Sequence, residues 1–459
     1  MDAKISGKRV LVVGMARSGM AAVELLSARG ARVRISDKRS HQELAAEVRI
    51  LQEAGVSSEV GEHRLESFLE ADLIVVSPGV PLTIPELQRA RSAGKQIVSE
   101  LELAAHFLKG KIIGVTGTNG KTTTTALIGE ILKTAGFPVQ VGGNIGTALS
   151  ILVDSSTAET INVVEISSFQ LEAIETFRPD IAVVLNITPD HLDRHGRFED
   201  YVQAKLNIFQ NQRNSDFAVL NCDDSNLSRV PGKVRSGIWW FSSRKNVENG
   251  TGMEGNQLVF RRENRVEICV PTEKIQLRGS HNLENVAAAI TATRLAGASP
   301  EMILDGIFRF KAVEHRLEPV AEIEGVKFYN DSKATNVDAT IKALEAFDSD
   351  IILILGGRDK GSDYRVLRPL IQARVKAIIL LGEASSKIRG QLESTVPMYQ
   401  ADSMQDAVNI GSQLAKRGDT VLLAPACASF DMFLNFEQRG QAFKEAVRIL
   451  SEAFPRQRR

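Results

Sequence analysis

Residues 111–122 read Lys-Ile-Ile-Gly-Val-Thr-Gly-Thr-Asn-Gly-Lys-Thr and decide the fold class of this chain. The apolar run at 112–115 predicts a buried strand, and the amphipathic pattern after Thr122 predicts a helix. A glycine loop between a strand and a helix is typical of a phosphate site, because free backbone N–H groups and the helix dipole point at the anion. We expect Lys121 to reach the β- and γ-phosphates and the Thr122 hydroxyl to bind Mg²⁺.

The match to the phosphate-loop pattern has one departure. The strict pattern has glycine at position 115, where this chain has Val115. A tight turn that uses its glycines only for backbone reasons is therefore the alternative. The Gly-Lys-Thr triplet at 120–122, in its strand–loop–helix context, favours binding of a nucleoside triphosphate.

The rest of the 459 residues extends the same pattern. Short β-branched runs alternate with helical patterns, which predicts an α/β fold with parallel sheets and helices on both faces. We expect three domains: a Rossmann-like N-terminal domain over 1–99, a central phosphate-loop ATPase-type domain over 100–312, and a Rossmann-like C-terminal domain over 313–459. Runs at 237–241, 257–261 and 266–270, separated by Asn-Gly and Glu-Gly turns, predict a small antiparallel insertion in the central domain.

Composition excludes several classes of protein. The 56 Lys and Arg residues balance the 56 Asp and Glu residues, which argues against an extended basic surface for nucleic acid. The three cysteines lie far apart without a Cys-x-x-Cys pair, which excludes a disulfide scaffold and a cysteine zinc site. No run approaches the ~18 apolar residues of a membrane span. We expect a cytoplasmic protein with no membrane insertion.

A second glycine turn lies at residues 12–19, Val-Val-Gly-Met-Ala-Arg-Ser-Gly. It is similar to a dinucleotide fingerprint, with Ala16 in place of the second glycine and Asp37 near the position of a ribose-binding acid. Arg17 and Ser18 place a cation and a hydroxyl in the turn, which suits a diphosphate. A turn whose glycines serve only strand–helix packing is the alternative.

Three polar residues of the central domain are candidates for a metal site. Glu165 ends the strand at 161–165, at the same sheet edge as Thr122, where a carboxylate could complete an Mg²⁺ site. His191 lies in a polar loop after a strand, and a surface or structural role is equally open. For Lys205 the default expectation is an aliphatic stem on an apolar face with the amine reaching water.

Together these motifs resemble one family. The motifs are Gly117–Thr122, Glu165–Leu171, Asp190–Asp193, Ala204-Lys205, Gly279–Asn285, Glu314–Arg316 and Asp331–Asn336. They stand in the order found in Mur ligases, and the resemblance covers residues 9–442. It implies an ATP-dependent ligase of cytoplasmic peptidoglycan synthesis, in which a carboxylate is phosphorylated and an amine attacks the acyl phosphate.

The resemblance also implies the substrates. Ser77-Pro-Gly79, Asp331–Asn336 and Pro425–Gly440 are similar to the members that add D-glutamate to UDP-N-acetylmuramoyl-L-alanine. The Asp-Asn-Pro-Arg motif of the diaminopimelate-adding members is absent from the sequence. We expect a monomer that uses ATP, Mg²⁺ and these two small molecules, with no nucleic-acid partner.

By resemblance, each candidate residue receives a role. Lys121, Glu165, His191 and Lys205 are the expected catalytic residues, and Thr122, Glu165, His191 and a carbamylated Lys205 are expected to hold two Mg²⁺ ions. The expected nucleotide contacts are Gly117, Thr118, Asn119, Gly120, Lys121, Thr122, Thr123, Asn282, Arg316 and Asp331. The expected UDP-sugar contacts are Arg17, Ser18, Asp37, Lys38, Arg39, Gly79, Asn144 and His191. The expected D-glutamate contacts are Lys333, Thr335, Lys360, Ser429 and Phe436.

Some of these roles and functions have alternatives. Asn282 could cap a helix, and Thr335, Ser429 and Phe436 could be turn or core residues. A nucleotide-dependent protein switch would use the phosphate loop but not the third domain. An NAD-dependent dehydrogenase would use Gly14 and Asp37 but not the phosphate loop. A folate polyglutamate ligase is disfavoured by the separate N-terminal domain.

Overall fold

The computed structural model describes residues 5–144, 146–232, 234–277, 279–310 and 313–453. The contacts of these residues divide into two compact units. The first unit comprises Met1–Lys274 with Glu284–Arg309, and the second comprises Ile275–Leu283 with Phe310–Arg459. Two sheets belong to the first unit and one to the second. The three-domain division stays a prediction, and its boundary at residue 312 lies outside the described residues.

The first sheet is a parallel sheet with the strand order β3-β2-β1-β4-β5. Its strands are β1 (Arg9–Val13), β2 (Arg32–Asp37), β3 (Ser57–Val60), β4 (Leu73–Val76) and β5 (Ile97–Ser99). Its helices are α1 (Arg17–Ala28), α2 (Ala45–Glu53), α3 (Leu65–Glu70) and α4 (Pro85–Ser92). The order reverses between β1 and β4, and ligands of such sheets bind where the order reverses, at the carboxyl ends of the strands.

The second sheet has the order β14-β13-β12-β11-β10-β9-β6-β8-β7. Its strands are β6 (Lys111–Thr116), β7 (Val139–Gly143), β8 (Ile161–Glu165), β9 (Ile181–Val184), β10 (Phe217–Asn221), β11 (Gly237–Phe241), β12 (Gly250–Glu254), β13 (Gln257–Arg262) and β14 (Arg265–Pro271). The phosphate-loop strand β6 lies between β8 and β9, parallel to both. This placement brings the ends of three strands to one edge.

Helices flank the second sheet along the chain. They are α5 (Glu100–Phe107), α6 (Lys121–Thr134), α7 (Leu149–Leu152), α8 (Ser168–Leu171), α9 (Leu192–His195), α10 (Phe198–Leu206), α11 (Ser280–Ala296) and α12 (Pro300–Arg309). The expected helix after the phosphate loop is confirmed as α6. It buries Leu127, Ile128, Ile131 and Leu132, which are the apolar positions of its sequence pattern.

The predicted antiparallel insertion needs one correction. Strand β11 runs parallel to β10, with Phe217 opposite Gly237, and therefore continues the main sheet. The antiparallel pairs are β12–β13 and β13–β14, in the same sheet. The parallel pairing is possible because β10 and β11 are joined by a long connection, which includes a 3₁₀ turn at Leu227–Arg229. Parallel neighbours need a crossover of a dozen or more residues, and this connection is long enough.

The third sheet, in the second unit, has the order β15-β16-β20-β17-β18-β19. Its strands are β15 (Glu318–Ile323), β16 (Val326–Asn330), β17 (Ile351–Leu355), β18 (Val375–Leu380), β19 (Met398–Gln400) and β20 (Thr420–Leu423). Its helices are α13 (Val337–Glu345), α14 (Arg368–Arg374), α15 (Ser385–Leu392), α16 (Met404–Leu414) and α17 (Phe436–Ala453). Strand β15 pairs antiparallel with β16, and the other described pairs are parallel. The apolar run Ile351–Leu355 is buried throughout, as expected for a central parallel strand.

The described helices fit their sheets as amphipathic elements. In α1, for example, Ala22, Leu25 and Leu26 are buried, whereas Glu24 and Ser27 face solvent. None of the helices among the described residues is long and apolar enough to cross a membrane.

Candidate active site

The phosphate loop has a backbone that requires its glycines. Gly117 has a φ of 150° and Gly120 has a φ of 86°, the second in the left-handed region that disfavours side chains. A Cβ atom on Gly120 would lie 2.2 Å from Asn285 Oδ1. The helix α6 begins immediately afterwards, at Lys121. The loop therefore has the strand–glycine–helix geometry that the sequence predicts.

Two residues that the sequence did not indicate as part of the site make hydrogen-bond contacts with this loop. The Asn186 side chain accepts a hydrogen bond from Asn119 N at 2.8 Å and donates one to Asn119 O at 3.2 Å. The Tyr201 hydroxyl lies 2.9 Å from Thr118 Oγ1. Asn186 lies just after β9, so its place after a strand end was the available signal in the sequence.

Two lysine amines converge on the loop. Lys121 Nζ donates to Gly117 O at 2.9 Å and to Thr118 O at 2.7 Å. Lys205 Nζ donates to the same Gly117 O at 2.7 Å and lies 4.7 Å from the centre of the Tyr201 ring. Lys205 is only 1% exposed, so the expectation that its amine reaches water is wrong. Burial, together with the charge of Lys121, holds the pKa of Lys205 well below its usual value.

A buried carboxylate lies at the same edge. Glu165 ends β8, which pairs with β6 so that Glu165 is opposite Val115. Glu165 Oε1 accepts a hydrogen bond from Asn144 Nδ2 at 2.8 Å. Its other oxygen, Oε2, is buried and has no hydrogen-bond partner among the described residues. An orphaned carboxylate oxygen beside a phosphate loop suits a hard cation such as Mg²⁺.

His191 lies in the loop after β9 and immediately precedes α9. It has a φ of 53°, and its ring packs edge-on against Phe169 with 4.9 Å between the ring centres. Its side chain is 44% exposed, which favours a ligand contact over a core role. Across the described residues, no cluster of three or more His, Cys, Asp or Glu side chains is arranged to hold a metal ion.

The N-terminal turn is stabilised by Asp37. Its carboxylate accepts hydrogen bonds from Met15 N at 2.7 Å and from Arg39 Nη2 at 2.7 Å. Burial raises the pKa of Asp37, but the bonds from Arg39 and Met15 outweigh it and lower the pKa to about 2. A Cβ on Gly19 would lie 1.9 Å from Gly14 O, so packing requires that glycine.

Most of the remaining predicted UDP-sugar contacts follow strands of the first sheet, at its carboxyl edge, whereas Asn144 follows β7 of the second sheet. Arg17, Lys38, Arg39 and Gly79 are exposed, and Ser18 is half-buried. Asn144 is exposed overall, although its amide contacts Glu165. The exposed Arg17 and Lys38 offer cations to a ligand, and Arg39 is also exposed but binds Asp37, which stabilises the turn.

In the second unit, the predicted amino-acid contacts lie around the carboxyl edge of the third sheet. Lys333 Nζ lies 3.7 Å from the centre of the Phe436 ring, a close cation–π contact. Ser429 is buried and Lys360 is exposed. Thr335 N donates to Lys333 O at 2.8 Å, so a turn role applies to its backbone.

Two networks of side-chain contacts, which the sequence did not indicate, stabilise the loops that carry the predicted D-glutamate contacts. Arg439 is 2% exposed and donates to Ser332 O at 2.8 Å and to Cys427 O at 3.1 Å. The Tyr364 hydroxyl donates to Asp359 Oδ1 at 2.8 Å and lies 3.0 Å from Cys427 Sγ. Each network connects segments adjacent to predicted D-glutamate contacts. Arg439 lies within the Pro425–Gly440 motif, but nothing in the sequence shows that its side chain is buried.

The predicted nucleotide contacts are distributed over both units. Thr122 and Thr123 begin α6 and are buried in the first unit, whereas Asn282, Arg316 and Asp331 belong to the second. Asn282 N donates to Gly279 O at 3.0 Å, as expected at a helix start. Burial raises the pKa of Asp331 to about 7, although the Arg316 charge and the Leu317 N–H both oppose that shift.

Comparison with known proteins identifies the family. Three family models match: the MurD-like N-terminal domain at 8–99, the Mur ligase middle domain at 115–293, and the Mur ligase glutamate ligase domain at 315–427. A protein of Acidobacterium capsulatum named UDP-N-acetylmuramoylalanine–D-glutamate ligase is 54% identical over 446 residues, which cover 97% of each chain. The chain belongs to the Mur ligase family. A Koribacter versatilis protein of the same name is 49% identical, over 98% of this chain and 99% of its own.

Solved structures of Mur ligases share the fold. The MurC ligase of Thermotoga maritima matches with a TM-score of 0.62 at 20% identity, over 96% of this chain and 100% of its own. The MurF ligase of the same organism, solved with ADP, matches with a TM-score of 0.61 at 17% identity, over 98% and 100% of the two chains. Because the chain belongs to the Mur ligase family, the nucleotide-dependent protein switch and the NAD-dependent dehydrogenase no longer stand as alternative functions.

Proposed function

We propose that this Mur ligase joins D-glutamate to UDP-N-acetylmuramoyl-L-alanine, with cleavage of ATP, as a cytoplasmic monomer in peptidoglycan precursor synthesis. The choice of amino acid is supported by the names of relatives that are 54% and 49% identical over nearly the whole chain. The chemistry is supported by one observation above all. Lys121 and Lys205 both donate to Gly117 O, and the orphaned Oε2 of Glu165 belongs to the end of the neighbouring strand β8.

The reaction begins with phosphorylation of the alanyl carboxylate. The N–H groups at the start of α6 bind phosphate oxygens of ATP, and Lys121 exchanges its carbonyl partners for those oxygens. The carboxylate attacks the γ-phosphorus, the bond to the β-γ bridging oxygen breaks, and ADP leaves. The amine of D-glutamate then attacks the acyl phosphate carbon, loses a proton and expels phosphate. Preorganised cations at the loop stabilise the charge that develops in both steps.

The donors at this edge fit Mg²⁺. Thr122 and Glu165 would hold one ion, and His191 with a modified Lys205 would hold a second. When bound, Mg²⁺ neutralises phosphate charge and polarises the transferred group. Glu165 contributes a fixed oxygen, because Asn144 binds its other oxygen and restricts rotation of the carboxylate.

The environment of Lys205 supports the proposal that it is carbamylated. An amine whose pKa is held low is neutral more often, and a neutral amine can attack carbon dioxide. The new N–C bond forms, one proton is released, and the product is a carbamate anion. This change converts a buried cation into an oxygen ligand.

Charge and position support the ligand roles that we propose for the other residues. Arg17, Ser18, Lys38, Arg39 and Gly79 would bind the uridine diphosphate group, around the turn that Asp37 stabilises. Asn144 and His191 would contact the muramoyl part. Asn282, Arg316 and Asp331 would bind the nucleotide. Lys333 and Lys360 would pair with the two carboxylates of D-glutamate, and Thr335, Ser429 and Phe436 would complete that pocket.

A panel of amino acids tests the proposal. We expect ADP and phosphate release when ATP, UDP-N-acetylmuramoyl-L-alanine and D-glutamate are all present, and none with L-glutamate or meso-diaminopimelate. The Lys121→Ala variant controls for contaminating ATPases. Release with meso-diaminopimelate but not with D-glutamate would assign the protein to another branch of the family.

A further inference from the structure

The carboxylate of Glu172 binds two side chains of the short helix α9. Glu172 Oε1 lies 3.2 Å from His195 Nδ1, and Glu172 Oε2 accepts a hydrogen bond from Arg194 Nη2 at 3.1 Å. The His195 side chain is 3% exposed and that of Arg194 is 14% exposed, so these contacts are shielded from water. Both oxygens of a single carboxylate thus anchor the helix that follows His191.

The helix needs such an anchor. It spans only Leu192–His195, and His195 N donates to His191 O at 3.0 Å. A single helical turn is unstable in isolation, because nucleation fixes several backbone angles for one hydrogen bond. The orientation of His191 therefore depends on what holds the side chains of Arg194 and His195.

The same side chains reach both neighbouring parts of the site. His195 Nε2 lies 3.0 Å from Ser168 Oγ, and its ring stacks on Phe169, the residue against which His191 packs. Arg194 Nη2 donates to Val80 O at 2.9 Å, directly after the Ser77-Pro-Gly79 loop of the first sheet. Arg194 also lies 4.7 Å from the centre of the Phe169 ring. Through Arg194, Glu172 connects the His191 loop with the loop that carries Gly79.

We propose that Glu172 is a positioning residue for the UDP-sugar substrate. It fixes His191 and the Gly79 loop relative to each other, and it acts through Arg194 and His195 rather than by touching the substrate. The inference rests on the proposed function, because His191 and Gly79 are expected contacts of UDP-N-acetylmuramoyl-L-alanine. The phosphate loop is held by Asn186 through Asn119, away from this network, although Tyr201, which contacts Thr118, also packs against His195. We therefore expect the loss of Glu172 to affect ATP binding much less than UDP-sugar binding.

The test is Glu172→Gln in the full-length enzyme. Glutamine keeps the shape, but it removes the charge and offers one acceptor oxygen instead of two. We expect the KM for UDP-N-acetylmuramoyl-L-alanine to rise about tenfold or more, which is the size of loss seen when a group that orients a metal-ligating histidine is removed. The KM for ATP is expected to change by less than about twofold. Glu175→Gln is the matched control, because its carboxylate accepts from Gln96 Nε2 at an exposed position.

A second readout is independent of catalysis and of metal. Calorimetric titration of UDP-N-acetylmuramoyl-L-alanine into wild-type enzyme, Glu172→Gln and Glu175→Gln, with EDTA and without ATP, should show weaker binding only in Glu172→Gln. Arg194→Lys, which keeps the charge but loses the guanidinium Nη2 that donates to both Glu172 and Val80, should weaken the same affinity.

Two outcomes would overturn the inference. One is equal affinity for the UDP-sugar in wild-type enzyme and Glu172→Gln. The other is an equal loss in the KM values for ATP and for the UDP-sugar, which would indicate general destabilisation. Absence of amide formation by the wild-type enzyme would instead contradict the proposed function, and the calorimetric comparison would still be decided.

Discussion

Lys205 shows how burial can change what a residue does. Its amine is almost fully buried, donates to Gly117 O at 2.7 Å and has a pKa well below the usual value. An ammonium group in this place is costly, because water is excluded and Lys121 adds a like charge. Conversion to a carbamate would remove that like charge and add oxygen donors beside Glu165.

We predict that Lys205 incorporates carbon dioxide. Enzyme equilibrated with carbon-13 bicarbonate should show one carbamate carbon resonance, and Lys205→Arg should lack it, because a guanidinium stays charged and cannot react. Activity of that variant should fall by at least about 100-fold, since a group that orients the transferred phosphate is lost. Lys416→Arg, at an exposed position, is the matched control. A resonance of equal intensity in Lys205→Arg would contradict the prediction.

Asp331 gives a prediction for the pH dependence of stability. Its pKa in the folded protein is about 7, above the ordinary carboxyl value of 3.8. The folded state therefore holds a proton that the unfolded state has lost, and the free energy of unfolding falls as pH rises from about 4 to about 7. Asp331→Asn has no such proton, so it should be more stable than wild type at about pH 8, by up to roughly 4 kcal/mol, and similar at about pH 4.

Thermal unfolding at both pH values checks the Asp331 prediction. Asp402→Asn, at an exposed position, serves as the control and should behave as wild type at both. A stability difference between wild type and Asp331→Asn that is the same at low and high pH would count against the raised pKa.

At the scale of the element, the phosphate loop depends on the close approach of the Gly120 backbone to the Asn285 side chain. We predict that Gly120→Ala abolishes ATP binding, because the added Cβ would meet Asn285 Oδ1 and the φ of 86° disfavours a side chain. Gly136→Ala is the matched control, since Gly136 has a φ of 81° but no atom within 4 Å of the added Cβ. The control should lose only the backbone cost of about 1–2 kcal/mol and bind ATP normally. Equal ATP affinity in the two variants would show that the contact with Asn285 is unimportant.

The loops of the third sheet lead to a prediction about D-glutamate. The Tyr364 hydroxyl connects Asp359, next to Lys360, with Cys427, which lies two residues before Ser429. Tyr364→Phe keeps the buried ring and removes only this connection. We expect the KM for D-glutamate to rise about three- to tenfold, which corresponds to about 1 kcal/mol for one lost hydrogen bond. Tyr399→Phe is the control at an exposed strand position, and a rise in the KM for ATP instead would contradict the prediction.

The sequence predicts those parts of the fold and of the site that depend on local patterns of apolar, polar and glycine residues. The phosphate loop, the sheet edge that carries Glu165 and most strands of the sheets follow from apolar runs that end in polar or glycine residues. It could not predict that β11 runs parallel to β10, because a strand's partner depends on contacts far along the chain. For the same reason Asn186, Tyr201 and Glu172 were missed: each acts through a side chain that meets a segment at least 20 residues away.

At the scale of the whole molecule, the equal numbers of cationic and acidic side chains raise the question of how the chain binds anionic ligands. All three proposed ligands carry at least two negatively charged groups, yet the chain has 56 cationic and 56 acidic side chains. Arg17 and Lys121 belong to the first unit, and Arg316, Lys333 and Lys360 to the second. The cations that we propose as ligand contacts are thus dispersed along the chain rather than concentrated in one segment. This arrangement limits non-specific attraction of other polyanions, which a large basic field would produce.

The central claim is that ATP activates the alanyl carboxylate for attack by D-glutamate. The most direct test uses UDP-N-acetylmuramoyl-L-alanine with oxygen-18 in that carboxylate and follows the label by mass spectrometry. We predict that one labelled oxygen appears in inorganic phosphate, in equal amount to ADP and to the D-glutamyl amide, and only when D-glutamate is present. Amide formation with unlabelled phosphate, or with the label in AMP, would contradict an acyl phosphate route.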